Sequence, residues 1–240
     1  MISFFKEVES QFKSKGTNQL KRDIVLDTDL KSSECFFVFD LTDATISHFG
    51  GMKKMFGYEI ENLDLPFIID KLHPDDADQV QAILKNVITQ SIKITIPKYT
   101  NVLKMSSRFR KSNGEYIRTV SENFIIQTDD DQFVQSFLVR YTDVSFLDDS
   151  ETVEWWVNTD FIDKDEMVNS VYGENKNIFT PREKQIILIM LMGNTNIEIA
   201  NDLNISRHTV STHRKNILSK SNCSSMKELK IFCKKNGVFD

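Results

Sequence analysis

The sequence predicts an α+β domain followed by an all-α domain. Short β-type runs flank a helical cluster in the first 147 residues, and helix-capping motifs recur after residue 178. The charge also changes sign: residues 1–175 carry 19 Lys and Arg against 30 Asp and Glu, whereas residues 176–240 carry 11 against 5. A chain of 240 residues is long enough for two hydrophobic cores. A nucleic acid would bind the basic part.

The composition is that of a packed protein without a membrane segment. Apolar residues make up 40% of the chain, with only 8 Gly and 4 Pro, which is unlike a disordered protein. The longest apolar run, Ile186–Met192, is far shorter than the roughly 20 residues that span a bilayer. The N-terminus lacks a signal-peptide pattern. We therefore expect a cytoplasmic protein with no membrane partner.

Motifs of catalysis and metal binding are missing from the sequence. It has no phosphate-binding loop, no Gly-x-Ser-x-Gly, no His-Glu-x-x-His and no kinase signature. Cys35, Cys223 and Cys233 show no metal-ligand spacing and are expected to be reduced thiols. We therefore expect no enzyme activity, no catalytic residues and no metal site.

Residues 1–32 are predicted to form a lead-in with one amphipathic helix over residues 3–15. Its apolar face is formed by Phe4, Phe5, Val8 and Phe12. This face suits docking on its own domain and pairing of two subunits equally well.

Residues 33–147 contain the elements of an antiparallel sheet. The runs after Cys35 and Ala44 are predicted to be paired strands. Short helical pieces follow, and then a longer helix runs from Pro74 to about Thr89, because acidic residues after Pro74 favour a helix start. Three longer strands, at residues 99–110, 116–127 and 133–142, complete a five-stranded sheet with helices packed on one side.

Side-chain facing is predicted for two of these elements. The longer helix is expected to bury Val80, Ile83, Leu84 and Val87. One face of strand 116–127 carries most of its apolar residues together with two charged ones: Tyr116, Val120, Phe124 and Ile126, with Arg118 and Glu122.

Four motifs give residues 33–147 a resemblance to the PAS sensor family. They are Met55-Phe56-Gly57-Tyr58, Leu72-His73-Pro74-Asp75-Asp76, Arg108-Phe109-Arg110 ahead of Asn113-Gly114-Glu115-Tyr116, and Tyr141-Thr142-Asp143-Val144-Ser145. The resemblance implies a five-stranded sheet that cups a surface for a small molecule or a protein. It also implies that the turn at Asp143-Val144-Ser145 passes the signal onward.

Aromatic residues of the predicted strands are candidates for lining a ligand pocket: Phe37, Phe39, Phe124 and Phe137. Core packing explains aromatic residues in strands equally well. The Asn-Cys-Arg type of motif by which PAS domains bind flavin covalently is missing, so no cofactor is predicted. An unknown small molecule in this domain stays open as the input.

Residues 148–177 are predicted to link the two domains. Trp155 and Trp156 are too apolar for a free linker and indicate a strand or a helix packed on the first domain. A helix from about Asp163 is expected to end at Gly173, a residue type typical of helix C-termini. Residues Glu174–Asn177 are the predicted hinge.

Residues 178–240 are predicted to form four short helices. A capping box at Thr180 begins the first, which runs to Met192, and a capping box at Thr195 begins the second. The second helix is expected to bury Ile197, Ala200 and Leu203. A further capping box at Ser225 begins the last helix, whose apolar stripe could seal the core or pair subunits: Met226, Leu229, Phe232 and Cys233.

The third helix, Arg207–Ser221, is capped by Ser206 and is predicted to have two different faces. Val210 and Ile217, with Leu218 alongside, lie on the side that packs on the two preceding helices. The opposite side is polar and suits a major groove: His208, Ser211, Thr212, Lys215 and Ser219.

Motifs between residues 178 and 238 are similar to those of the LuxR-type DNA-binding domain. They are Thr180-Pro181-Arg182-Glu183, Glu198-Ile199-Ala200, Ile205-Ser206, Thr209-Val210 and His213. The resemblance implies base contacts at Ser211, Thr212 and Lys215. It implies positions near phosphate for Thr195, Thr209, His213 and Arg214, and Arg207 and His208 complete the predicted DNA-binding surface.

Ser211 departs from this pattern, since many relatives have Lys there, so the groove face carries fewer cations. Modest affinity and a homodimer on two half-sites are the expected consequences.

Two hypotheses about function follow. The leading one is a sequence-specific transcription regulator that binds double-stranded DNA, in which the PAS-like domain senses a cue and modulates dimerisation or DNA-binding geometry. The alternative is a protein-interaction regulator whose helix-turn-helix contacts RNA polymerase and reads little DNA directly. The C-terminal promoter-binding region of sigma factors has a similar helix-turn-helix. The polymerase-binding and promoter-melting regions of sigma factors have no candidate in this sequence.

Overall fold

The computed structural model describes residues 30–147, 150–173 and 178–239. The helix predicted over residues 3–15 and the hinge predicted at 174–177 lie outside the described residues. The described chain divides into two compact units, one ending at Met167 and the other beginning at Val168. Among the helices described, none combines the length and the apolar character needed to cross a membrane.

The first unit is built on an antiparallel sheet with the strand order β2-β1-β5-β4-β3-β6. The strands are β1 (Glu34–Asp40), β2 (Thr45–Gly50), β3 (Asn101–Arg110), β4 (Tyr116–Thr128), β5 (Val134–Asp143) and β6 (Glu154–Val157). The helices are α1 (Met52–Phe56), α2 (Leu65–Lys71) and α3 (Pro74–Ser91), followed by α4 (Lys164–Tyr172), which crosses the division. This confirms the predicted α+β fold, with helices between the second and third strands.

Strand β6 extends the predicted five-stranded sheet by one strand. It contains Trp155 and Trp156 and pairs with the edge of β3. The tryptophan pair therefore belongs to the sheet. Helix α4 confirms the helix predicted before Gly173, which has a left-handed φ of 58°.

Local hydrogen bonds explain where the helices of the first unit begin. Asp64 caps α2 by accepting a bond from the Phe67 amide at 2.8 Å. His73 caps α3, and its Nδ1 accepts from the Asp75 amide at 3.2 Å. Asp76 is fully buried and accepts bonds from the backbone amide and the guanidinium of Arg108, which ties α3 to β3. The His73 motif thus has a structural role.

Tyr116, Val120 and Phe124 share a face of β4, as predicted, but the core packs on the opposite face. Every second side chain of β4 from Ile117 onward is buried: Ile117, Thr119, Ser121, Asn123 and Ile125. Arg118 and Ile126 are buried as well. Ser121 and Asn123 can lie inside because each donates to a carbonyl oxygen of β3 at 3.3 Å, which satisfies the buried polar groups. Of the four apolar residues predicted to share one face, only Ile126 is buried, and Tyr116 is exposed.

Helix α3 follows its prediction more closely. Val80, Ile83 and Val87 are buried, whereas Leu84 is half-buried. On β1 the thiol of Cys35 is 1% exposed, and burial raises its pKa to about 12.

The second unit packs four helices around one core: α5 (Pro181–Leu191), α6 (Asn196–Asp202), α7 (Arg207–Ser221) and α8 (Met226–Lys235). Two of the three predicted capping boxes, at Thr180 and Thr195, are present. At Ser225 the serine accepts a bond from the Glu228 amide at 3.2 Å, but the Glu228 carboxylate accepts from the amide of Ser224, the residue before it. The fully buried side chains come from all four helices: Ile186, Ile187, Ile199, Val210, Ile217 and Leu229. The predicted all-α domain is therefore confirmed.

The prediction for α6 is corrected at one residue. Ile199 is fully buried, whereas Ile197 is 45% exposed. Residues two positions apart in a helix differ by about 200° around its axis, so α6 cannot bury both Ile197 and Ile199. Ala200 is buried as predicted, and Leu203 is half-buried.

Candidate nucleic-acid interface

Helices α6 and α7 meet at a short turn held by specific hydrogen bonds. Asn204 has a left-handed φ of 51°, and Ser206 caps α7 by accepting a bond from the Thr209 amide at 3.0 Å. The Arg182 guanidinium on α5 donates to the Leu203 carbonyl oxygen at 2.9 Å. The turn is thus fixed from both sides, and it sets the direction in which α7 leaves α6.

Helix α7 has the two faces that the sequence predicts. Val210 and Ile217 are fully buried against the core, and Leu218 is half-buried. All five residues predicted for the polar side are exposed: His208, Ser211, Thr212, Lys215 and Ser219. Arg207 and Asn216 are exposed as well. Thr209, His213 and Arg214 are half-buried at its margins. The arrangement can present hydroxyl, amide and basic groups to a duplex.

The hydroxyl groups of this surface differ in their available hydrogen bonds. Thr212 donates to the His208 carbonyl oxygen at 3.1 Å, so its proton is used within the helix. Thr195 donates to the Glu198 carboxylate at 2.8 Å and accepts from the Glu198 amide, so its hydroxyl completes the cap of α6. Ser211 instead accepts a bond from Asn196 at 3.2 Å.

Asn196 is a residue that the sequence analysis missed. It is the first residue of α6, and its side chain reaches across to Ser211 on α7. Its place directly after the capping Thr195, at the start of a helix-turn-helix, is the signal that could have identified it.

One cation of the second unit is occupied by an internal ion pair. Lys220 at the end of α7 lies 2.7 Å from the Glu183 carboxylate on α5. Burial of Glu183 opposes its ionisation, but the bonds from Lys220 and Thr180 outweigh this and lower its pKa. Lys220 therefore fixes α7 on α5, while Arg207 and Lys215 remain exposed on the helix.

The apolar stripe of α8 seals the core of the second unit. Leu229 and Cys233 are buried, and Met226 and Phe232 pack partly buried against the same core. The dimerisation surface predicted from this stripe is therefore wrong for Leu229 and Cys233, because a side chain with 0% or 3% exposure has no surface to offer a partner. Burial raises the pKa of Cys233 to about 12.

The first unit contains a cavity of about 50 Å³ between the sheet and helices α2 and α3. Phe37, Phe39 and Phe137 line it, together with three polar residues, Ser121, Asn123 and Tyr141. Phe124 does not line it, which corrects the prediction. The alternation of β4 turns Phe124 to the opposite face, where the Arg140 guanidinium lies 5.9 Å from its ring centroid. Within the described ranges no cluster of potential metal ligands occurs.

Comparison with known proteins identifies the helical unit. Residues 177–233 match the profile of the family described as bacterial regulatory proteins, luxR family. This part of the chain is a LuxR-type helix-turn-helix domain. Its helices α5, α6 and α7 carry the geometry described above, and the LuxR-type domain includes most of α8.

Relatives of the LuxR-type domain cover only part of the chain. The uncharacterized response regulatory protein YgeK of Escherichia coli K12 is 45% identical over 64 residues, which are 27% of this chain and 43% of YgeK. The chain thus covers less than half of this curated relative.

Two solved structures similar to this chain have low sequence identity. A VqmA dimer of Vibrio cholerae has 14% identity and a TM-score of 0.38, covering 92% of this chain and 94% of that chain. The PAS domain of the fruit-fly ELK potassium channel has 17% identity and a TM-score of 0.40, covering 53% of this chain and 99% of that chain.

Proposed function

We propose that this protein is a sequence-specific transcription regulator whose LuxR-type domain reads the major groove of double-stranded DNA with α7. The observation that carries the proposal is the two-faced helix: Val210 and Ile217 anchor it in the core, and the polar side is exposed along its length. A helix held in this way is the usual reader of base edges. The net positive charge of residues 176–240 favours the approach of a polyanion.

The proposal is tested by electrophoretic mobility shift after selection of a preferred DNA sequence. Lys215→Ala and Thr212→Ala should each weaken binding of the intact protein by about tenfold, because each removes a contact to the groove. Lys230→Ala removes one exposed cation from α8 and serves as the matched control. Unchanged binding by both α7 variants would refute the assignment of α7 as the reading helix.

The input that we propose is a compact, mainly apolar molecule in the cavity of the first unit. Aliphatic side chains and three phenyl rings supply most of the lining, and Ser121, Asn123 and Tyr141 are its polar members. An engineered protein cavity that binds benzene has a volume of about 150 Å³, which exceeds the roughly 50 Å³ present here. Binding must therefore move lining side chains, which supplies a structural response to the ligand.

Mass spectrometry and absorbance of the purified protein test this input. A retained compound that raises the melting temperature and changes DNA affinity supports sensing by the cavity. A protein free of any compound, whose DNA affinity responds only to another protein, contradicts it.

We also propose that two copies bind DNA together. The reading surface offers few cations, and two half-sites double the number of phosphate contacts. Light scattering of the DNA complex should give two chains per duplex. Footprints should show two protected half-sites about 10 base pairs apart or a multiple of this. One chain on one half-site would contradict the proposal.

A contact with RNA polymerase is the second candidate function. Three apolar side chains of the LuxR-type domain are exposed: Leu188 at 44%, Met192 at 77% and Ile197 at 45%. Leu188 and Met192 are four residues apart at the end of α5 and therefore lie one turn from each other, and adjacent exposed apolar groups suit a protein partner. Capture of polymerase in the absence of DNA, lost in Met192→Ser, would support it. Full DNA reading without polymerase capture would exclude it.

A further inference from the structure

Asn196 and Ser211 form a hydrogen bond that connects the two helices of the reading motif. The Nδ2 group of Asn196 on α6 donates to the hydroxyl oxygen of Ser211 on α7 at 3.2 Å. Ser211 is exposed on the polar side of α7, and Asn196 is half-buried beside it. The bond therefore acts at the surface that is proposed to face DNA.

This bond decides which hydrogen-bonding group Ser211 has left to offer. A hydroxyl has one proton and two lone pairs. When its oxygen accepts from an amide N–H, the proton stays available and is directed away from that donor. Within the part of the chain that the structure describes, the Ser211 hydroxyl makes no other hydrogen bond. Ser211 thus presents a donor.

The neighbouring Thr212 shows the opposite state. Its proton is donated to the His208 carbonyl oxygen at 3.1 Å, so its oxygen is left as an acceptor. Two adjacent hydroxyls of α7 therefore present a donor and an acceptor in a fixed order. Base edges in the major groove are distinguished by the order of such groups.

We propose that Asn196 is a positioning residue for base recognition, which fixes Ser211 as a donor to an acceptor edge, guanine above all. Guanine presents two acceptors, N7 and O6, in the major groove, whereas cytosine presents an amino donor. Asn196 acts through Ser211. This inference rests on the proposed function and specifies the base class that one position of the motif selects.

Sequence selection with Asn196→Asp in the full chain provides the test. Aspartate has only acceptors, so the Ser211 proton turns towards the carboxylate and the hydroxyl presents lone pairs to the groove. The preference at one position of each half-site should change from guanine to cytosine or adenine, by about three- to tenfold in relative enrichment. An acidic residue in the first turn of α6 is compatible with the helix, and circular dichroism checks the fold.

Two further variants separate this effect from charge and from structure. Asn201→Asp adds the same charge at an exposed position of α6; it should weaken binding to all sequences equally and leave base preference unchanged. In Ser211→Ala the preference at that position should be lost, and adding Asn196→Asp should change it no further.

The outcomes distinguish this inference from the proposed function. Selection of a defined sequence by the wild type, with the same base preferences in Asn196→Asp, overturns the role of Asn196 and leaves DNA reading intact. A wild type that enriches no sequence overturns the proposed function and this inference together. A changed base preference at the Ser211 position in Asn196→Asp, but not in Asn201→Asp, supports both the role of Asn196 and the proposed function.

Discussion

Gly237 occupies a place in the second unit that only glycine fits. It has a left-handed φ of 57° and is buried against the ring of Tyr172. A Cβ atom at this position would lie less than 3.0 Å from three carbons of that ring. Gly193, which follows the end of α5, also has a left-handed φ, of 89°, but a Cβ atom there would meet nothing within 4 Å.

Replacing these two glycines by alanine should therefore give different losses of stability. Gly237→Ala combines backbone strain with a steric clash and should lower the free energy of unfolding by about 2 to 3 kcal/mol. Gly193→Ala carries the strain alone and should cost about 1 kcal/mol. Urea denaturation of both variants measures the difference, and equal losses would contradict a clash with Tyr172.

At the residue scale, the sequence predicts the facing of side chains on α7 but not on β4. Helical spacing predicts the burial of Val210 and Ile217 and the exposed side of α7, because the position of the buried face determines which residues lie opposite it. Phe124 could not be placed, because a strand with apolar and charged residues on one face carries no clear alternation. The interior position of Asn123 depends on a carbonyl oxygen of β3, which the sequence does not reveal.

Helix α5 is joined to α7 by the pair of Glu183 and Lys220. The pKa of Glu183 is lowered in the folded protein, so the carboxylate stabilises the fold above the ordinary pKa of glutamate. This stabilisation is lost as the pH falls through the lowered, folded-state pKa. The ion pair therefore makes the LuxR-type unit sensitive to acid.

Glu183→Gln should lower the free energy of unfolding by about 1 kcal/mol at neutral pH, since Lys220 is partly exposed and water screens the pair. The melting temperatures of variant and wild type should converge as the pH falls through the lowered pKa of Glu183. Lys220→Gln should give a similar loss, and the double variant should lose less than the sum of the two. A difference that persists in acid would contradict this account.

The sequence predicts where helices begin better than it predicts which strands and helices pack together. The starts of α5, α6 and α7 follow from capping residues, which act within one turn of the chain. The pairing of β6 with β3 and the seal formed by α8 depend on long-range packing. An apolar stripe such as that of α8 fits a core and a partner equally well, so only the burial of Leu229 decides between them.

The molecule as a whole separates an acidic part from a basic one, so salt should control its binding to DNA. The observed affinity falls with salt in proportion to the number of phosphates neutralised, with a slope of about −0.9 for each. Arg214, placed near phosphate by the LuxR resemblance, is half-buried at the margin of α7.

In Arg214→Ala the magnitude of the logarithmic salt slope should fall by about 0.9 for each bound chain, and thus by about 1.8 for a dimer. Fluorescence anisotropy titrations over a range of salt concentrations measure this slope. Lys230→Ala should leave it unchanged. A slope that Arg214→Ala does not alter would remove Arg214 from the phosphate contacts.

Two buried thiols make the stability of each half separately observable. Cys35 and Cys233 are 1% and 3% exposed, and their pKa values near 12 leave almost no thiolate at neutral pH. An alkylating reagent can modify them only when the surrounding structure opens. The labelling rate of Cys35 therefore reports opening of the sheet, and that of Cys233 reports opening of the helical bundle. Both rates can be measured on the wild-type chain, with and without DNA or a candidate signal.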